Sequence, residues 1–237
     1  MKSEALQKVL SDSPLFRGLE PDVLNKIAAA MKPERWPRHR VVMTSADTLK
    51  YFYVIVKGRV KVTRQNPQSG REITLCLLGP GDGFNIVSLL DGHRHDVTVE
   101  TLDVVEAVSA PIEQWSEWLE TYPRFHCSMH HYVNRMMWEL SQLASDLALY
   151  DTMTRLVHLI LRYFSDKDGA PSPRKDLIKD LSHDELAHMI GTVRVVVNRL
   201  LSELRQEGII NTSGGELRVC DLEKLLEKAE QRVRQGA

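Results

Sequence analysis

Arg194, Val195, Asn198, Arg199, Ser202 and Arg205 fall on one side of a helix when their neighbourhood is placed at about 100° per residue. That side carries three arginines, an asparagine and a serine, and no acid. Solubility alone is usually met by mixed charges, whereas an acid-free array of donors suits phosphate oxygens and the acceptor edges of guanine and adenine. Val195 sits mid-face, where it is a poor partner for water and a good one for a thymine methyl group. An ordinary helical hairpin with solvated arginines shows the same pattern when it stands alone, so the surrounding residues decide. A second group with chemical capacity is His126, Cys127, Met129, His130 and His131, with His93 and His95 on another segment. Imidazole, thiolate and thioether are all haem ligands. The competing reading is a set of surface groups, because adjacent histidines on a helix point about 100° apart.

The elements that must position the arginine face are written nearby. Ser182, with Glu185 three residues on, predicts a capping box that starts a helix. Leu186, Met189 and Ile190 continue it at helical spacing, Gly191 supplies a sharp turn, and Thr192 is expected to cap the next helix. On that next helix Val193, Val196, Val197, Leu200, Leu201 and Leu204 form the inward side. Past Gly208, the run Ile209-Ile210, Asn211 to Gly215 and Leu217-Arg218-Val219 predicts a short hairpin. A helix-turn-helix followed by such a wing is far more specific than a helical hairpin.

With 237 residues the chain is long enough for two domains, and its net charge of −1 leaves any affinity for nucleic acid to a local basic patch. No apolar run approaches membrane-spanning length and no secretion pattern opens the chain, from which a cytoplasmic location is expected. Cys76, Cys127 and Cys220 are scattered without metal-ligand spacing, which argues for reduced thiols and against an iron–sulfur cluster. The opening segment to about residue 31 is helical in pattern, closed by Pro33 and Pro37. Between residues 41 and 110 the period becomes two, as in Tyr51 to Val56, Arg59 to Val62, Ile73 to Leu77 and Val97 to Val99, with turn signals at Lys57-Gly58 and Gly79 to Gly83. Met129, Val133, Met136, Leu140, Leu143, Leu147 and Tyr150 then alternate in steps of four and three, predicting a dimer helix. Residues 165–179 are polar and read as a loop, and the tail from residue 221 reads as a helix packed on the wing.

The run from Ile190 to Ile210 resembles the recognition segment of the CRP/FNR regulators, and the likeness extends to Ser13 to Leu19, Tyr53 to Val60 and Gly81 to Phe84. The resemblance implies an α+β protein: an N-terminal double-stranded, jelly-roll-like β-roll, a long dimerisation helix and a C-terminal winged helix-turn-helix. The corresponding boundaries are 1–124, 125–150 and 151–237. It implies a homodimeric transcription regulator, not an enzyme, that binds a pseudo-palindromic double-stranded DNA site, with RNA polymerase a candidate partner. Arg194, Val195, Asn198 and Arg199 would reach bases, and Ser182, His183, Ser213 and Gly214 phosphates. A small effector would sit in the roll near Asn85, Ile86, Arg94, His95, Met136, Leu140 and Ser141. Relatives that bind cyclic AMP use a glycine–glutamate pair where Asn85-Ile86 stand and a threonine–serine pair where Leu140-Ser141 align. Isoleucine cannot accept a ribose hydroxyl, which speaks against cyclic AMP, although Arg94 keeps a cyclic-nucleotide-responsive regulator as an alternative. An apolar lining of Met136, Leu140, Leu89 and Leu90 instead suits a hydrophobic ligand or a haem, making a haem-based gas or redox sensor the other alternative.

Overall fold

The computed structural model describes residues 3–164 and 173–235. In chain order the first part contains α1 (Ser3–Asp12), α2 (Pro21–Ala30), β1 (Lys32–Trp36), β2 (Val41–Met43), β3 (Tyr51–Lys57), β4 (Val60–Gln65), β5 (Glu72–Leu78), β6 (Gly83–Phe84), α3 (Ile86–Asp91), β7 (Thr98–Thr101), β8 (Val105–Pro111), α4 (Ile112–Thr121) and α5 (Pro123–Leu149). It continues with α6 (Thr152–Phe164), a 3-10 turn at Pro173–Leu177, α7 (His183–Ile190), α8 (Arg194–Gln206), β9 (Ile210–Asn211), β10 (Arg218–Val219) and α9 (Leu222–Gln235). Two compact units result, one of residues 1–65 and 75–139, the other of 66–74 and 140–237.

The first unit is a roll of two four-stranded sheets, ordered β1-β8-β3-β6 and β2-β7-β4-β5. Strand β3 explains the layering. Successive side chains of a strand point to opposite faces, and in β3 both faces are covered. Phe52, Val54 and Val56 enter one core with Leu10, Phe16, Trp115, Phe125 and Met129, while Ile55 enters a second with Met43, Val60, Leu78, Phe84, Val99 and Val105. The second core lies between the sheets, since both contribute to it; the first is closed by helices. Aromatic rings dominate that helical side, with Phe52 and Trp115 edge to face at 4.4 Å and Phe16 stacked on Phe125 at 5.3 Å. The β3–β4 turn needs Gly58, whose φ is +84° and whose added Cβ would stand 2.6 Å from the Val104 carbonyl oxygen. Beside it Arg59 donates two hydrogen bonds to the Asp103 carboxylate, at 2.7 and 2.9 Å, and these hold the Asp103 pKa below the usual carboxylate value.

Several expectations need correction. Residues 32–36 do not merely close the opening helices but form β1, which is an edge strand, the one place where Pro33 can sit in a sheet without breaking a ladder on both sides. The stripe assigned to a dimer seam begins facing inward. Met129 is fully buried in this chain's own core, and Val133 and Met136 pack against it, because the roll takes that side of α5. The large apolar side chains of α5 that remain exposed are Met137, Trp138, Leu140 and Leu149. In the second unit α9 packs chiefly on α6, with Leu225 buried, rather than on the wing. Of the polar loop foreseen at 165–179, residues 165–172 lie outside the described residues, and Pro173–Leu177 is a 3-10 turn.

Candidate nucleic-acid interface

Helix α7 begins as its sequence dictates. The Ser182 hydroxyl accepts from the Glu185 amide at 3.2 Å, and the Ser182 amide donates to the Glu185 carboxylate at 2.7 Å. It ends at Gly191, left-handed at φ +67°, where an added Cβ would lie 2.6 Å from Leu147 Cδ2. Two guanidinium groups satisfy the carbonyls left free there: Arg155 donates to Ile190 at 3.2 Å and Arg71 to Gly191 at 2.7 Å. Thr192 is not the cap of the next helix. Val193 takes that place, with extended backbone and no side-chain hydrogen bond, and it is 62% exposed instead of inward. The first amides of α8 are therefore left uncapped by side chains, and an uncapped helix start attracts an anion.

Helix α8 buries Val197, Leu200, Leu201 and Leu204, which turns Arg194, Val195, Asn198 and Arg199 outward, all exposed. Val195 is 76% exposed. Arg194 pairs with Asp184 of α7 at 3.3 Å, an acid that the face of α8 alone does not reveal. Both partners are exposed, so exchanging this pair for a phosphate or a base costs little. Asn198 meets the His183 ring, which joins one expected base reader to one expected phosphate contact. Arg205 is turned aside, donating to Ser202 at 2.8 Å and Thr212 at 3.1 Å. The wing is a minimal antiparallel pair, Arg218 opposite Asn211 and Val219 opposite Ile210, whose turn places Gly214 at φ +73° and Gly215 at φ +81°. Lys228 of α9 reaches Glu203 of α8 at 3.0 Å and also Glu207, fixing the far end of the reader helix.

Around the α5–α6 junction Asp146, buried, takes His158 at 2.7 Å and Arg162, while Asp151 accepts from the Thr154 amide at 2.8 Å and Arg155 donates to the Tyr150 carbonyl at 2.8 Å. The Asp151 cap is a local signal of a helix start, whereas the Asp146 pairs span 12 and 16 residues and have no local spacing rule.

In the roll, the residues expected around an effector are only partly brought together. Asn85 is left-handed at φ +78° and its amide donates to the Thr48 and Tyr51 carbonyls at 2.6 and 2.8 Å, so its donors are committed to the fold. Ile86 and Leu89 are buried in the core, whereas Leu90 is exposed. Arg94 is exposed, and His95 pairs with Asp91 at 2.8 Å. Met136 packs against both cores; Leu140 and Ser141 are exposed. Sequence reasoning missed a polar cluster here. Buried Asp82 accepts from Arg135 at 2.7 Å and lies 3.3 Å from the Tyr132 hydroxyl, over whose ring the Arg135 guanidinium sits at 4.8 Å. Burial raises the Tyr132 pKa well above its usual value, so the phenol stays protonated. Of the haem-type ligands, Met129 is in the core; His126, Cys127, His130 and His131 are exposed.

Residues 154–228 match the family model for a Crp-like helix-turn-helix domain, and residues 33–122 that for a cyclic nucleotide-binding domain. The chain is 31% identical over 221 residues to a global nitrogen regulator of Synechocystis sp., covering 90% of this chain and 94% of that protein. It is 26% identical over 228 residues to a CRP-like cAMP-activated global transcriptional regulator of Mycobacterium tuberculosis, covering 94% and 100%. The structure of the c-di-GMP responsive global regulator CLP of Xanthomonas campestris matches with a TM-score of 0.70 at 20% identity, covering 84% of this chain and 99% of that one. Two of these names carry different nucleotides, so the likeness speaks for the architecture and not for the ligand.

Proposed function

Because the chain belongs to the CRP/FNR family of transcription regulators, we propose that it works as a homodimer whose α8 helices enter successive major grooves of a pseudo-palindromic DNA site. The observation that carries this reading is the outward face of α8, with Arg194, Val195, Asn198 and Arg199 all exposed behind a start that lacks a side-chain cap. In this reading residues 125–150 join the two copies, residues 151–237 form the reader, and the two α8 helices stand about 34 Å apart. Arg194 and Arg199 address guanine O6 and N7, Asn198 adenine, and Val195 a thymine methyl. Ser182, His183 and the Ser213-Gly214 turn hold phosphates and set the register. A reader of chromosomal DNA acts in the cytoplasm.

Selection of bound sites from a random duplex pool tests the assignment. A half-site with thymine opposite Val195 supports it; a pool without two-fold symmetry overturns it. The effector in this reading is a small molecule other than cyclic AMP, held in the roll. Asn85 spends its amide on Thr48 and Tyr51, and Ile86 offers no acceptor to a ribose. Calorimetric titration with cyclic AMP should give no saturable heat and no change in DNA affinity; saturable binding that tightens the DNA complex overturns this part alone.

A further inference from the structure

Four side chains of metal-ligating type, His126, Cys127, His130 and His131, lie within six residues of α5 and all are exposed. They do not belong to the face that packs on the roll, which is held by Phe125, Met129 and Tyr132. His126 and His130 are one helical turn apart and already meet, with ring centroids 4.4 Å apart. Neither imidazole has a hydrogen-bond partner among the described residues. At about 100° per residue, His126, His130, Asn134 and Met137 fall within a sector of about 80°. Met137 in that sector is 64% exposed, and Trp138 beside it is 48% exposed.

Met137 and Leu140, both exposed, stand on the same side of α5 as His126 and His130, and such exposed apolar groups on the dimer helix fit a second copy of the same helix. With Met129 and Met136 turned inward, positions 126, 130, 137 and 140 fall at intervals of four, seven and three, the heptad register of a two-stranded seam. A two-fold axis between parallel helices sets each residue against its own counterpart, so His130 meets His130 and His126 flanks it from both sides. Among the described residues of one chain no group of three His, Cys, Asp or Glu side chains is placed to hold a metal, so any such site would need a second pair.

We infer that two copies together bind one divalent transition-metal ion through His126 and His130 of each chain, at the roll-proximal end of the dimer helix. This rests on the dimeric reading above. Four neutral imidazoles are a donor set for zinc, copper, nickel or cobalt and a poor one for magnesium or calcium, which take oxygen ligands. Imidazole ligates only in its neutral form, so protons compete with the metal for these nitrogens. In the assembly the ion would clamp the two helices at one end.

The test uses the full-length protein, first by sedimentation, then by titration with zinc and with cobalt as the spectroscopic probe. The expected result is a dimer that binds one ion per two chains. His130→Ala should weaken zinc binding at least 100-fold while the protein stays folded by circular dichroism, and Cys127→Ser should leave stoichiometry and affinity unchanged. A monomer sinks the dimeric reading and the site with it. A dimer that binds no metal, or binds one ion per chain, overturns the site alone. Loss of binding in Cys127→Ser, or a haemin Soret band that depends on His130 where zinc does not bind, also overturns the four-imidazole assignment.

Discussion

Replacing Gly191 by alanine tests whether the turn between α7 and α8 is fixed by two separate constraints. The first is conformational: at φ +67° a residue with a Cβ is strained by about 1 to 2 kcal/mol. The second is steric, since the new Cβ would stand 2.6 Å from Leu147 Cδ2, and overpacking of this order costs about 1 to 3 kcal/mol. Together Gly191→Ala should cost about 2 to 5 kcal/mol. The two parts separate in a double-mutant cycle with Leu147→Ala, which removes the colliding methyl but not the backbone strain. The double variant should then be more stable than the sum of the single losses predicts, by about 1 to 3 kcal/mol. Urea unfolding followed by far-ultraviolet circular dichroism measures all four proteins, with equal slopes required for the comparison. Should Gly191→Ala unfold within about 0.5 kcal/mol of the parent, or should the two substitutions add without coupling, the two-constraint account of the turn fails.

Arg194→Ala should lose about 1 to 3 kcal/mol of binding and blur preference at one base pair, whereas His183→Ala should weaken all sequences evenly, both read by fluorescence anisotropy on a panel of mismatched duplexes. Asp146→Ala strips a buried carboxylate from His158 and Arg162 and should cost about 3 to 5 kcal/mol in urea unfolding; a loss under about 1 kcal/mol would mean that neither cation depends on it. Asp103→Asn should lower Tm at pH 7 and do so progressively less on acidification. The Arg59 hydrogen bonds depress the folded pKa of Asp103, so its contribution is complete above the ordinary carboxylate value of about 3.9 and fades as pH falls through the lower, folded value. A Tm difference that does not change between pH 7 and pH 2.5 contradicts the ion-pair assignment.

Features whose chemistry is local could be read in the sequence. The Ser182–Glu185 box is completed within four residues, and the alternation in β3 is enforced by the strand itself, so both appear where their residues predict. The inward face of α8 follows equally from spacing, except at Val193, where the helix starts one residue later than the Thr192 cap implied. What could not be read was which neighbour a face meets. Helix α5 carries apolar residues at helical spacing on more than one side, and periodicity does not distinguish a stripe meant for the roll from one left exposed. Only the three-dimensional placement of the sheets assigns Met129 to the first and Met137 to the second. The Asp82–Arg135 pair joins positions 53 residues apart, and the Asp184–Arg194 pair crosses a turn, so neither has a local spacing rule to announce it. Lys32–Trp36 was hidden by its proline, which signals a break unless the strand is known to lie at an edge.

The contacts across residues 146–162 make the bend between α5 and α6 a stiff elbow. Asp146 grips the second helix twice from the first, and Arg155 ties back to the last turn before the bend. A twist applied to the lower part of α5 therefore passes into α6 with little slack, as through a welded crank. The compliance needed for any swing must then come from elsewhere along the chain.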